Sequence, residues 1–314
     1  MNTIYLGKEN NAVAPCVATI GFFDGVHRGH KYLIQQVNSI AKACGLASTV
    51  ITFDRHPRQV LQSDYVPQLL NPIDRKLLLL SKTGIDNAVV LPFDASVAQL
   101  SAYDFMKEVL RNRLNVKKLV IGYDNRFGHN RTETFEDYVR YGHELGIEVI
   151  HHTAFELHGV NISSSVIRGF LQEGEVEMAT LCLGYPYTLI GKVVHGFAQG
   201  RLMGFPTANM DVAESDQLIP ATGVYAVNVK LKNQLHLLHG MMNIGRRPTF
   251  NGTALSLEVN IFNFRGDLYG ELIEVSFIRH IRKERKFNSA AELAEQLQQD
   301  RTMIEEQFNK DRDL

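Results

Sequence analysis

Over about the first 184 residues, short apolar runs alternate with stretches whose apolar positions recur every three or four residues. Residues 17–20 and 47–53 are nearly continuous apolar runs, and shorter ones follow at 87–91, 118–121 and 147–151. Helical spacing between them predicts helices over about 28–44, 72–83, 101–114 and 133–144. Strands that are apolar on both faces and alternate with helices predict a parallel sheet covered by helices.

After Leu183-Gly184-Tyr185-Pro186 the pattern becomes almost purely strand-like, at 187–195, 223–231, 235–243, 255–263 and 272–278. Glycine and proline turns separate these runs, which predicts a small antiparallel barrel. The run at 255–261 alternates strictly, placing Leu255, Leu257, Val259 and Ile261 on a buried face and Ser256, Glu258 and Asn260 on the other. Residues 289–309 return to helical spacing, with Leu293, Leu297, Ile304 and Phe308 set to pack against the barrel. The expected class is therefore α/β plus β, with domains at 1–184 and 185–314 and no internal repeat.

Composition narrows the setting. The chain of 314 residues is 45% hydrophobic and 21% charged and has no apolar run long enough to span a bilayer, so no membrane partner is expected. Its first residues lack the basic start and apolar middle of a secretory signal, which points to the cytoplasm. Cys16, Cys44 and Cys182 form neither a zinc-ligand spacing nor a disulfide framework and read as reduced core residues. A formal net charge of -1 speaks against bulk attraction to nucleic acid, so anion recognition must be local. The run at 279–286 carries five arginines and lysines in eight residues but no interleaved aromatics for base stacking, and reads as a solvated face.

Two stretches carry candidate chemistry. The first, GFFDGVHRGH at 21–30, falls at the carboxyl end of the first long apolar strand and runs into a helix. Ligands of parallel sheets gather there, and a helix start offers unpaired N–H groups to an anion. Gly21, Gly25 and Gly29 permit tight backbone paths, and His27 and His30 are donors suited to charge that builds on an α-phosphate during nucleotidyl transfer. A pair of histidines can also simply cap the helix or hold a water. ISSSVIR at 162–168 adds Ser163, Ser164 and Ser165 at a helix start and Arg168 within reach of a β- or γ-phosphate, where capping is again the alternative.

The second stretch, 191–210, holds glycines at 191, 196, 200 and 204 without a GxxxxGK[ST] loop. In PTAN (206–209), Thr207 and Asn209 offer two oxygens on one side of an extended segment, which suits magnesium beside nucleotide phosphates; a proline-bounded turn is the alternative. Glu258 is either a solvated carboxylate or the base that a primary alcohol nucleophile needs.

The motifs together carry a family resemblance. GFFDGVHRGH resembles the HxGH signature of nucleotidylyltransferases, and ISSSVIR resembles their second motif, ISSTxxR. With FDRHP (53–57) and GYDNRFGHNR (122–131), the first half resembles the adenylyltransferase module of bacterial bifunctional riboflavin kinase/FAD synthetases. GRLMGFPTAN (200–209), GVYAV (223–227), NIGRRPTF (243–250) and LEVNIFNFRGDLYG (257–270), in that order, resemble its kinase module, so the resemblance spans the chain.

It implies a Rossmann-like nucleotidylyltransferase domain followed by a riboflavin kinase barrel. ATP binding in the first domain falls to Gly21, Asp24, His27, His30, Ser163, Ser164 and Arg168, and FMN binding to Asp124, Asn125 and Phe127. In the second, Gly191, Lys192, Gly196, Gly200, Arg201, Gly204, Pro206 and Thr207 would hold ATP, Thr207 and Asn209 would hold Mg2+, and Glu258 would be the base. Riboflavin, FMN and FAD would be substrates or products, ATP the co-substrate, and the basic run a flap over flavin and nucleotide. The partners are small molecules rather than nucleic acid, and the chain a monomer or transient oligomer.

The sequence departs from the family at Phe22, where asparagine is common, and at Ser165, where threonine is. Loss of an amide at position 22 leaves open a riboflavin kinase with weak or absent adenylyltransferase activity. A flavin-sensing regulatory binding protein is the reading from another class.

Overall fold

The protein is described by a computed structural model covering residues 1–7, 13–62, 64–122, 126–129, 132–153, 155–157, 159–196, 204–232, 234, 236–249 and 252–310. By contact it divides into two compact units, Met1–Ser164 and Ser165–Leu314.

The first unit is built on β1 (Asn2–Tyr5), β2 (Cys16–Ile20), β3 (Ala47–Phe53), β4 (Asn87–Leu91), β5 (Val116–Ile121) and β6 (Glu148–His151). They form one sheet in the order β1-β4-β3-β2-β5-β6, parallel throughout. The direction of winding reverses between β2 and β5, so the crevice at the carboxyl end of β2 is the expected ligand position.

Helix α1 (Arg28–Cys44) ends at Gly45, whose φ of 65° is a left-handed cap. It buries Ile34, Val37 and Ala41 over β2 and β3, where each fully buried Val or Ile contributes about 1.5–3 kcal/mol. There follow α2 (Pro57–Leu61), α3 (Ile73–Ser81), α4 (Ala95–Ala98) and α5 (Ala102–Asp104), which continues as a π-helix over Phe105–Arg113, and then α6 (Phe135–Leu145). A two-stranded hairpin, β7 (Glu156–Leu157) and β8 (Val160–Asn161), completes the unit. The spacing did not predict β1: four residues on a half-exposed sheet edge leave no apolar run to read.

The division falls at the first residue of α7 (Ser164–Glu173), and the second unit continues through α8 (Val176–Leu183) and closes around β9 (Thr188–Val194), β10 (Ala208–Asp211), β11 (Gly223–Leu231), β12 (Leu238–Thr249), β13 (Gly252–Ile261) and β14 (Leu272–Arg282). These form a closed antiparallel barrel in the order β10-β13-β12-β11-β14-β9. Outside it, α9 (Ala290–Lys310) sets Ile304 and Phe308 against Phe205, Val224, Ala226, Met241 and Phe262.

The PTAN segment is extended, and it enters a barrel strand, β10, in which Ala208 and Asn209 pair with Val259 and Glu258 across to β13. Three expectations are corrected. Leu255 is 47% exposed, since it lies near the open end of the β12–β13 ribbon, beyond the closed barrel. Cys44 is exposed at the last turn of α1. The basic run is not uniformly solvated: Arg282 is held by Asp300, which has no exposed surface, while residues 283–286 face solvent.

Candidate active sites

The HxGH turn leaves β2 with Gly21 N–H donating to the Ile51 carbonyl of β3. It then takes an uncommon path: Phe23 and Val26 have φ of 54° and 38°, in the left-handed region that non-glycine residues avoid at about 1–3 kcal/mol each. The turn is held by its neighbours. The buried Asp24 carboxylate accepts the Leu70 and Asn71 N–H groups at 3.0 and 3.2 Å, and Ser164 Oγ donates to the Asp24 carbonyl at 2.9 Å. These contacts assign Asp24 and Ser164 to shaping the turn.

His27 is the N-cap of α1, its Nδ1 accepting the His30 N–H at 3.3 Å. Capping and phosphate donation are compatible, because a neutral ring that accepts at Nδ1 carries its proton on Nε2. The His27 and His30 rings stack with centroids 3.5 Å apart. Burial, then the neighbouring His27 and Lys76, push the His30 pKa well below the usual imidazole range, so it is neutral at physiological pH. Its Nδ1 is buried and meets no hydrogen-bond partner among the described residues. Ser163 lies just ahead of α7, and Arg168 falls on the barrel side of the division between units.

Of the expected FMN residues, Asp124 and Asn125 lie outside the described residues. Phe127 lies in the core, its ring stacked on Tyr138 at 4.5 Å. Tyr138 Oη also accepts the Phe127 N–H at 3.0 Å and donates to its carbonyl at 2.8 Å. Tyr138 thus holds Phe127 by both its ring and its backbone.

Sequence reasoning missed Lys76. It is 2% exposed on α3 and donates to the carbonyls of Phe22 and Phe53, both at 3.1 Å, and to Thr52 Oγ1 at 3.0 Å. Burial pulls its pKa from 10.5 to about 8, against the opposing pull of Asp24 and Asp54. The signal was its phase: Lys76, Leu79 and Leu80 share the buried face of α3.

In the barrel, a cavity of about 700 Å³ lies between residues 206–209, the end of β9 at Val193 and Gly196, Val259 and Ile261 of β13, and the loop 264–269. Thr207 Oγ1 stands 3.4 Å from Glu258 Oε2, and Asn209 pairs in register with Glu258. Asn260, another residue the sequence left without a role, donates from Nδ2 to the Pro206 carbonyl at 2.7 Å and fixes the entry to PTAN.

Two glycines are explained by close approach rather than by phosphate. A Cβ at Gly196 would fall 2.0 Å from Asn209 Nδ2, so the bare backbone makes room for that amide. A Cβ at Gly191 would fall 2.5 Å from the Asp211 carbonyl oxygen. Gly191 and Lys192 sit in the body of β9 and do not line the cavity, Gly204 turns with φ of 79°, and Gly200 and Arg201 lie outside the described residues.

Sequence models of two families match in tandem, FAD synthetase over residues 9–166 and riboflavin kinase over 183–308. Proteins named bifunctional riboflavin kinase/FMN adenylyltransferase are similar along the whole length. The Haemophilus influenzae protein is 36% identical over 97% of this chain and 98% of its own, and that of Escherichia coli 37% over 96% of each. The chain belongs to the bifunctional riboflavin kinase/FMN adenylyltransferase family.

The two units correspond to the two modules of that family, the parallel sheet to the FAD synthetase match and the barrel to the riboflavin kinase match. A crystal structure described as a macrolide-efflux protein from Streptococcus pneumoniae is also similar, with a TM-score of 0.87 at 33% identity over 97% of this chain and 99% of that one. Among the described residues of the present family member, no helix is long and apolar enough to cross a membrane.

Proposed function

We propose that the chain converts riboflavin to FMN with one ATP in the barrel, and FMN to FAD with a second ATP at the parallel sheet, releasing pyrophosphate. The observation that carries this reading is the presence in one chain of two separate arrangements. One is the stacked His27–His30 pair at the switch point; the other is the Thr207–Glu258 oxygen pair beside a cavity of flavin size.

In adenylyl transfer, an FMN phosphate oxygen attacks the α-phosphorus of ATP as the bond to the β-phosphate oxygen breaks. The phosphate nucleophile is already ionised at neutral pH, so positioning and charge stabilisation suffice. His27 Nε2–H and a neutral His30 serve as hydrogen-bond donors to the phosphates, with Ser163 beside them on the same unit. Gly21, Asp24 and Ser164 set the backbone of the turn. Asp124 and Asn125 are taken, on the motif alone, as FMN-binding residues.

In the kinase reaction, Glu258 accepts the proton of the riboflavin 5'-hydroxyl as it attacks the γ-phosphorus and ADP leaves. Gly204, Pro206 and Thr207 form the ATP side. The donors here are all oxygens, from Thr207, Asn209 and the nearby Glu258 carboxylate, a set that fits Mg2+. Thr207 and Asn209 would hold the ion, which when bound screens the charge of the nucleotide phosphates.

We take residues 1–184 as the adenylyltransferase domain and 185–314 as the kinase domain of a cytoplasmic monomer or transient oligomer without nucleic-acid partners. The test is a time course with riboflavin, ATP and magnesium, resolved by chromatography and repeated from FMN. FMN should appear and give way to FAD. Accumulation of FMN without FAD from either start would overturn the first-domain assignment, and absence of FMN would overturn the second.

A further inference from the structure

Parallel strands end in carbonyl groups, and the carboxyl edge of β2 and β3 is where a polyanion is to bind. Unmodified, that edge presents partial negative charge to negative charge. Lys76 changes this. Its ammonium, brought in from α3, binds the Phe22 carbonyl just past β2 and the Phe53 carbonyl at the end of β3. It also binds Thr52 Oγ1, which donates onward to the Phe22 carbonyl at 3.0 Å.

The Phe22 ring lies 4.1 Å from Lys76 Nζ, so the side chain at this unusual position covers the cation with its π-face instead of offering an amide. The turn that follows contains the left-handed Phe23 and Val26, a conformation that persists only when its surroundings impose it. Lys76 and the Asp24 carboxylate tie both sides of that turn to the segment 70–76.

We propose that Lys76 is a positioning residue for adenylyl transfer, its buried ammonium clamping the ends of β2 and β3 so that the strained turn holds His27 and His30 toward the nucleotide phosphates. The inference rests on the adenylyltransferase reading above. The titratable groups facing Lys76 among the described residues are Asp24 on the turn, Asp54 past β3 and His30 on α1; the carboxylates favour its charge and His30 is neutral.

The test measures FAD formation from FMN and ATP across pH 6.5–9.5, with riboflavin phosphorylation in the same chain as control, for wild type, Lys76→Met, Lys76→Arg and Thr52→Val. Misplacement of the turn should lower kcat for FAD formation by about 10²-fold in Lys76→Met. The KM for FMN and the kinase rate should stay within about twofold, because the Lys76 ammonium is bonded to the strand ends and the turn alone. Wild type should lose kcat above about pH 8, as Lys76 deprotonates, and Lys76→Arg, whose charge persists, should lack that fall.

Should Lys76→Met fail to fold, Thr52→Val, which removes one acceptor with little change of shape, should still lower kcat about fivefold. Wild-type FAD synthesis that is flat through pH 9.5, or full kcat in either Lys76→Met or Thr52→Val, would overturn the proposal. Absence of FAD from the wild type would instead overturn the underlying reading.

Discussion

The docking of α9 depends on a carboxylate in an apolar seam, and the Arg282–Asp300 pair gives the sharpest energetic prediction. Asp300 lies four and eight residues before Ile304 and Phe308, in phase with them, and none of its side chain is exposed. Arg282 Nε donates to both carboxylate oxygens at 3.1 and 3.0 Å and Nη2 to Oδ2 at 2.8 Å, while Gln296 Nε2 donates to Oδ1 at 2.7 Å.

Removing one partner of a buried pair leaves an uncompensated charge, so Arg282→Leu should destabilise the barrel unit by about 3–5 kcal/mol. Asp300→Leu should cost less, about 2 kcal/mol, because Arg282 is 19% exposed and can turn to water. With both charges gone, Arg282→Leu/Asp300→Leu should fall within about 1 kcal/mol of wild type, giving a coupling energy of about 4 kcal/mol or more.

A chain of two units does not unfold as one transition, so the assay is hydrogen exchange of the 290–310 amides rather than a global melt. Additive effects of the two single substitutions would refute the argument. Because α9 packs on Phe205, next to Pro206 and Thr207, Arg282→Leu should also slow FMN formation while sparing FAD formation from supplied FMN.

Three further outcomes follow from the sites. Glu258→Gln should lower kcat for FMN formation by about 10²–10⁴-fold while riboflavin still binds, as read by quenching of flavin fluorescence; full activity would remove Glu258 as the base. His30→Ala should lower FAD formation by about 10²–10³-fold and leave FMN formation intact, and loss of the kinase reaction in a folded variant would contradict the division of labour. Lys76 holds its proton to about pH 8 folded and about 10.5 unfolded, so the unfolded state binds more protons between those values and stability rises with pH there. Wild type should gain about 3 kcal/mol relative to Lys76→Met across that window, measured by hydrogen exchange in the first unit, and a constant difference would exclude the shifted lysine.

Much of the first unit was legible because its signals are local. The run at 47–53 and the helix at 28–44 match the observed β3 and α1, since an apolar run and a 3.6-residue period each encode their own element. His27 and His30 were legible for the same reason: a strand end, a glycine-bearing turn and a helix start adjoin in the chain. Edge strand β1 and the short β10 were not, because both take their definition from a partner strand far away in sequence.

The chain alone therefore determined two folds, their order and the two motif-bearing turns. Tertiary structure decided which polar groups those turns rest on. Lys76 reaches Phe22 across 54 positions, Asp300 meets Arg282 across 18, and Gly196 clears a place for Asn209 from the neighbouring strand. For Lys76 and Asp300 a buried polar group is acceptable only because another segment supplies its partner, and for Asn209 another segment leaves the space; such complementarity leaves no periodic trace in the sequence.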